Sequence, residues 1–199
     1  LAAAMLQITR TSIQHGLRHS HDAVSAAAFR FTYGAPVALV VSIVVFGPAG
    51  VARPGFGADV VVIIIAAGVA QILATVALLL AFRTRDFSIG TVYSKAEVPV
   101  VAALGAIGLG PALTLWGWVG AALVVTGVVM LAVRRRDALG PPWDPAALIG
   151  AASGALFAAA ATGIGAAAER LDGGSSLTRA LFTLTIMLCV QAVLMGAWS

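Results

Sequence analysis

Charged side chains are scarce in this sequence. Only 10% of the 199 residues are Asp, Glu, Lys or Arg, whereas 60% are hydrophobic. Soluble domains carry about 25% charged residues, so this composition excludes an ordinary soluble fold. With a mean hydropathy of +1.01, the chain is suited to a lipid bilayer as its solvent. One spanning helix needs ~20 apolar residues, so a chain of this length holds about seven.

Cysteine, metal-binding motifs and catalytic motifs are also nearly absent. The one cysteine, Cys189, lies in an apolar run, which excludes an internal disulfide framework and a CxxC motif. His15, His19 and His21 have only Asp22 as a nearby carboxylate, and we interpret them as part of a solvated loop. No Gly-x-Ser-x-Gly or His-Glu-x-x-His string occurs. We therefore expect no catalytic residue, no metal, no cofactor and no enzymatic activity.

The basic residues are scattered between the apolar stretches and form no aromatic-interleaved basic face, so we expect no nucleic-acid partner. Seven spans are predicted, at about 1–16, 23–46, 58–82, 87–109, 112–133, 146–168 and 175–198. Aspartates that can cap helix N-termini precede three of them, namely Asp22, Asp86 and Asp144. Arginines are more numerous in the odd-numbered loops (Arg18, Arg83, Arg85 and Arg134 to Arg136) than in the even ones (Arg53 and Arg170). This bias predicts cytoplasmic odd loops and an external N-terminus.

A faint internal repeat divides the chain. Arg18, Asp22 and Arg30 lie between and within the first two spans, and Arg170, Asp172 and Arg179 recur in the same order at the last two. A five-helix repeat unit places the first unit at 1–136 and the start of a second at 137–199. Because five is odd, the units are antiparallel. Both ends of the sequence lie in apolar segments, so we expect a fragment of a ten-helix protein.

Four segments carry a likeness to a known family: AAFRF at 27–31, AQILAT at 70–75, AFR at 81–83 and WVGAALVVTG at 118–127. In these the chain resembles EamA-type ten-helix members of the drug/metabolite transporter superfamily. The resemblance implies two inverted five-helix halves, a central cavity and alternating access, in the inner membrane of a bacterium. The chain departs from the family at Leu109-Gly110-Pro111, where members have a Leu-Gly-Glu-like break. It also departs in its predicted orientation, since members place the N-terminus in the cytoplasm.

Ionisable side chains inside the predicted spans are the candidate site, because each costs at least ~2.5–3.5 kcal/mol to insert. Arg10, Arg30, Lys95 and Glu97 fall in one layer of the cytoplasmic half, and Gln71 reaches the same layer near the midplane. Tyr93 shares a helix face with Glu97, whereas Lys95 points away from it. Pro99 cannot donate to the carbonyl of Lys95, which predicts a kinked or open helix there.

Several interpretations of this layer stay open. Three cations against one carboxylate favour an anionic substrate group, and Glu97 is a candidate proton carrier. Alternatively, Arg10 and Arg30 snorkel to the interface, Lys95 and Glu97 form a structural pair, and Tyr93 is a packing residue. Gln71 and Thr75 are also candidates for hydrogen bonds between helices.

These patterns together predict an all-α, polytopic membrane protein that transports a small metabolite, most plausibly outward, by proton coupling or exchange. Its partners are that metabolite and the lipid bilayer. Gly150 and Gly154 form a GxxxG pair that permits a homodimer. The alternatives are a membrane scaffold or interaction subunit that transports nothing, and a membrane-embedded enzyme.

Overall fold

The computed structural model describes residues 23–47, 51–84, 97–107, 114–134 and 145–197. Six helices lie in these ranges: α1 (Ala23–Phe46), α2 (Ala58–Thr84), α3 (Glu97–Ala106), α4 (Leu115–Arg134), α5 (Pro145–Glu169) and α6 (Ser176–Gly196). None of the described residues belongs to a β-strand; Gly55 and Asp172 form an isolated antiparallel bridge. The all-α class predicted from composition is confirmed.

The predicted helix positions agree with the structure wherever it describes the chain. The bounds of α1, α2, α4, α5 and α6 differ from the predicted ones by at most three residues, and α3 covers the second half of the predicted span 87–109. The predicted span at 1–16 and the capping residues Asp22, Asp86 and Asp144 lie outside the described residues. Apolar runs separated by polar or Gly/Pro breaks were therefore sufficient to locate these helices.

Three of the helices are long and apolar enough to cross a bilayer, over Ala58–Ala81, Ala147–Glu169 and Ser176–Gly196. Shorter apolar stretches occur at Phe31–Phe46, Glu97–Ala106 and Leu115–Gly127. Large apolar side chains also face outward, including Val62 of α2 at 65% exposure and Leu123 of α4 at 69%. Such a surface is unfavourable in water and ordinary in lipid, so the chain is a membrane protein.

Among the described helices, α2 and α5 share the most extensive contact, and they run antiparallel. Val60 and Ile64, early in α2, share a buried cluster with Ala167 and Leu171 at the end of α5 and beyond it. Further along α2, Ala67 faces Gly163: a Cβ on that glycine would lie 2.9 Å from the Ala67 Cβ. The absence of a side chain at Gly163 therefore allows the two helices to approach this closely.

Helix α6 packs against both α2 and α1. It runs parallel to α2, because Met187 and Gln191 lie beside Gly68, and Met195 joins a buried cluster with Leu79 further along. It runs antiparallel to α1. Leu188 lies against Gly34, whereas Phe182, one and a half turns earlier, stacks edge-on with Phe46 at the end of α1.

The α1–α2 and α5–α6 connections meet at one end of the bundle. Gly55 and Asp172 exchange two backbone hydrogen bonds of 3.0 Å. Gly173 and Gly174 follow with φ of 76° and 75°, in the left-handed region where only glycine avoids strain. Ser175 then caps α6, its hydroxyl oxygen accepting from the Thr178 N–H at 3.2 Å. This short, well-specified turn fixes where α6 begins.

Helix α4 is peripheral. Among the described helices it packs mainly on α3, and a Cβ on Gly120 or Gly127 would meet nothing within 4 Å. Gly150 and Gly154 of the predicted GxxxG pair are instead buried within the chain. That pair serves packing among the helices of one chain, and the homodimer stays a prediction.

Candidate functional site

A pair of glutamines joins α2 to α6 in the interior of the bundle. Gln191 is wholly buried, and its amide nitrogen donates to the Gln71 side-chain oxygen at 2.8 Å and to the Gly68 carbonyl oxygen at 3.1 Å. Both donors of that amide are therefore used. The surroundings are apolar, with Met187 and Met195 one turn away on the same buried face of α6. A hydrogen bond in such surroundings fixes how the two helices sit together.

The amide lies against one face of α2. A Cβ on Gly68 would lie 3.5 Å from the Gln191 Cγ, an ordinary contact distance, so the glutamine stem packs directly beside the α2 backbone at this position. Gln71 lies three residues later, on the same face of α2 as Gly68. The two acceptors are thus presented side by side, at the spacing that one amide group can bridge.

One atom of this site is left without a partner. Among the described residues, the Gln191 side-chain oxygen is buried and accepts no hydrogen bond. An acceptor in this state lacks a bond that a neighbouring donor could still supply. It is an acceptor only, so the group that would satisfy it is a hydroxyl, an N–H or a water molecule.

A second polar contact joins α1 to α6. Thr185 donates its hydroxyl to the Leu181 carbonyl oxygen, four residues earlier, at 2.8 Å. The Ser42 hydroxyl, 2.7 Å away from it, must then be the donor to the Thr185 oxygen. Both hydroxyl protons are committed, so this pair is a structural contact between two helices.

A third polar contact joins α5 to α2. Ser153, which is wholly buried, donates its hydroxyl to the Ala74 carbonyl oxygen at 2.8 Å. The predicted patch of Gln71 and Thr75 proves to be local in part, since the Thr75 hydroxyl donates to the Gln71 carbonyl oxygen within α2 at 2.8 Å. The Gln71 side chain also bonds to another helix, through Gln191 of α6.

The structure describes two of the six predicted site residues with their side chains. Gln71 lies midway along α2 and bonds Gln191; Glu97 is the first described residue of α3, half-buried and with an interaction partner. Arg30 lies in α1, with its side chain outside the described part of the chain. Arg10, Tyr93 and Lys95 lie outside the described residues, as does the Lys95 carbonyl at which Pro99 would open the helix. The shared charged layer therefore stays a prediction.

Gln191 was not predicted from the sequence, although the sequence contains a signal for it. It is a lone amide within the apolar span of α6, as Gln71 is within α2. A polar side chain in the middle of a span usually has a partner on another helix. Pairing the two lone glutamines would have predicted this contact.

No group of three or more His, Cys, Asp or Glu side chains capable of holding a metal ion occurs in the described ranges. The histidines at 15, 19 and 21 lie outside them. Cys189 is a half-buried free thiol on α6. Its neighbours along the helix are apolar, as expected of a packing residue.

No protein-family model matches this sequence, and no curated protein or solved structure is similar to it.

Proposed function

We propose that this chain is part of a membrane carrier of the EamA-type, ten-helix plan, which moves a small metabolite across the inner membrane of a bacterium by alternating access. Export, by proton coupling or substrate exchange, is the direction we favour. In this proposal residues 1–136 belong to the first five-helix unit and residues 137–199 begin the second. The chain is a carrier and not an enzyme.

The observation that carries the proposal is the crossing of α1 and α6. In the proposed repeat these two helices are equivalent, one in each unit, and they run antiparallel with Gly34 beside Leu188 and Phe46 beside Phe182. An inverted repeat requires equivalent helices to run in opposite directions. The meeting of the α1–α2 and α5–α6 connections at one end of the bundle also agrees with alternating spans.

The polar contacts add a second line of support. Ser42 with Thr185, Ala74 with Ser153, and Gln71 with Gln191 each join a helix of the first proposed unit to one of the second. Carriers of this plan place their sites where the two repeats meet, near the midplane. We therefore extend the proposed site, consisting of Lys95, Glu97, Arg30, Arg10, Tyr93 and Gln71, by Gln191.

The test is transport by the protein expressed from its complete reading frame, reconstituted in proteoliposomes. Counterflow of labelled amino acids, sugars and phosphorylated metabolites should identify a substrate. We expect Lys95→Ala to slow its transport at least about tenfold, because a hydrogen bond to a charged group contributes about 1.5–3 kcal/mol. If protons drive transport, Glu97→Gln should abolish its acceleration by a pH gradient and leave exchange intact.

Arg170→Gln is the matched control, since Arg170 lies at the end of the bundle and its contact to Asp59 is exposed. Its transport rate should stay within about twofold of the unaltered protein, as for other exposed ion pairs. Normal transport by the Lys95 and Glu97 variants would show that the site is wrong. No transport of any compound by a folded protein would favour the scaffold.

A further inference from the structure

A groove separate from the glutamine pair lies between α1 and α6, near the end where their connections meet. Its volume is about 190 Å³. Apolar side chains of both helices form its walls, and one arginine of the α1–α2 connection stands at its mouth. The residues around it include Leu39, Ile43, Phe46, Arg53, Phe182 and Ile186.

The groove runs from the end of α1 into the apolar zone. Phe46 is the last residue of α1 and Leu39 lies seven residues earlier, which corresponds to ~10 Å along the helix axis. The Phe46 and Phe182 rings meet edge-on, with centroids 5.9 Å apart. Ile43 is 65% exposed, so the groove opens toward the surface that faces lipid. A ligand could thus enter from the bilayer with one end at the interface.

The floor of the groove offers little to a polar solute. Ser42 and Thr185 lie there, but the Ser42 hydroxyl donates to Thr185, and Thr185 donates to the Leu181 carbonyl. Neither hydroxyl has a free proton for a ligand. With apolar walls above them, the occupant that the groove favours is a hydrocarbon chain.

The mouth of the groove carries an available positive charge. Arg53 is exposed, and within the described part of the chain it forms no ion pair and no hydrogen bond through its side chain. Arg170, at the same end of the bundle, instead lies 3.9 Å from the Asp59 carboxylate and donates to the Ala166 carbonyl oxygen. An unpaired guanidinium at the interface attracts an anionic headgroup and forms directed hydrogen bonds to phosphate oxygens.

We propose that this groove binds one anionic phospholipid, with an acyl chain against Leu39, Ile43 and Ile186 and the headgroup phosphate at Arg53. The charge of Arg53 selects the headgroup class, and the apolar walls hold the chain. This lipid site does not depend on the proposed transport function, because it uses none of the residues of that site.

Native mass spectrometry of the purified full chain provides the test. The protein is taken from mixed micelles that contain equal amounts of phosphatidylglycerol and phosphatidylcholine with the same acyl chains. We expect one phosphatidylglycerol to be retained, with about fivefold preference over phosphatidylcholine, the effect of one arginine near an anionic surface. Arg53→Gln should remove that preference, and Arg53→Lys should keep most of it.

Two variants distinguish lipid binding in the groove from attraction of the lipid by general surface charge. Arg170→Gln removes the same charge at the same end of the bundle and should leave the preference within about twofold of the unaltered protein. Ile43→Trp fills the groove while Arg53 stays intact, and it should lower the occupancy of phosphatidylglycerol. Circular dichroism establishes that each variant keeps its helix content.

Three results would overturn the proposal. Equal losses with Arg53→Gln and Arg170→Gln would mean that only net charge attracts the lipid. Undiminished binding by Ile43→Trp would place the lipid elsewhere. Equal retention of both lipids by the unaltered protein would mean that the groove does not select an anionic headgroup.

Discussion

Two of the antiparallel helix contacts in the described part of the bundle, α2 with α5 and α1 with α6, are built differently. Between α2 and α5, Ala67 and Gly163 bring the backbones together, and Ser153 bonds directly to the α2 backbone. Between α1 and α6, two side-chain hydroxyls meet and a groove of about 190 Å³ lies beside them. The first contact is closely packed along the two backbones. The second leaves space for a ligand or for movement.

The largest expected effect comes from breaking the α2–α5 contact with Gly163→Val. Even a Cβ at this position would lie 2.9 Å from the Ala67 Cβ, so the larger side chain must force the helices apart. We expect a loss of about 1–3 kcal/mol in the free energy of unfolding, as for other overpacked interiors. Unfolding in detergent, titrated with a denaturing surfactant, measures it.

Gly165→Val is the matched control, two residues further along the same helix. A Cβ at Gly165 would meet nothing within 4 Å, so its substitution should change stability by less than about 0.5 kcal/mol. Equal effects of the two substitutions would contradict the close approach of α2 and α5.

A smaller effect is expected at the glutamine pair. Gln191→Met keeps the shape of the side chain and removes its bonds to Gln71 and Gly68. Hydrogen bonds between membrane helices average about 0.6 kcal/mol each, so the loss should be about 1 kcal/mol. A double-mutant cycle with Gln71→Met, measured by the same unfolding titration, should give a coupling of about 0.6 kcal/mol. Additive losses in the cycle would show that the two amides do not interact.

The smallest effect is expected at the contact beside the groove. Ser42→Ala removes one donated bond, while Thr185 keeps its bond to the Leu181 carbonyl. We expect a loss of about 0.5 kcal/mol, below that at Gln191, and a similar coupling in a cycle with Thr185→Val. If Ser42→Ala lowered the free energy of unfolding more than Gly163→Val, the comparison would be reversed, and the α1–α6 contact would be the stronger one.

Much of the fold could be predicted because the helix bounds depend on local chemistry. The apolar stretches that form α1 and α5 end where charged residues or Gly/Pro breaks begin, and the structure places the helix ends there. The α5–α6 turn likewise contains Gly173 and Gly174, the residues that its left-handed backbone requires. Composition alone was enough for the all-α class and the membrane environment.

The packing faces could not be predicted, since these helices are apolar all round. Ala66 and Ala67 are identical neighbours in α2, yet Ala66 is exposed and Ala67 is buried against α5. Without a polar face, helical periodicity does not show which side meets another helix. The partner of Gln71 is 120 residues away along the chain, so no periodic pattern pointed to it, and only the presence of a second lone amide in an apolar span did. The groove at Arg53 depends on how α1 and α6 cross, which no local pattern specifies.

The order of synthesis also decides when the contact between Ser42 and Thr185 can form. These residues are 143 positions apart, so Ser42 is made long before its partner exists. At about 5–20 residues per second, the ribosome needs roughly 7–30 s to reach Thr185. During that interval α1 has to remain in the bilayer without the neighbour that later covers it.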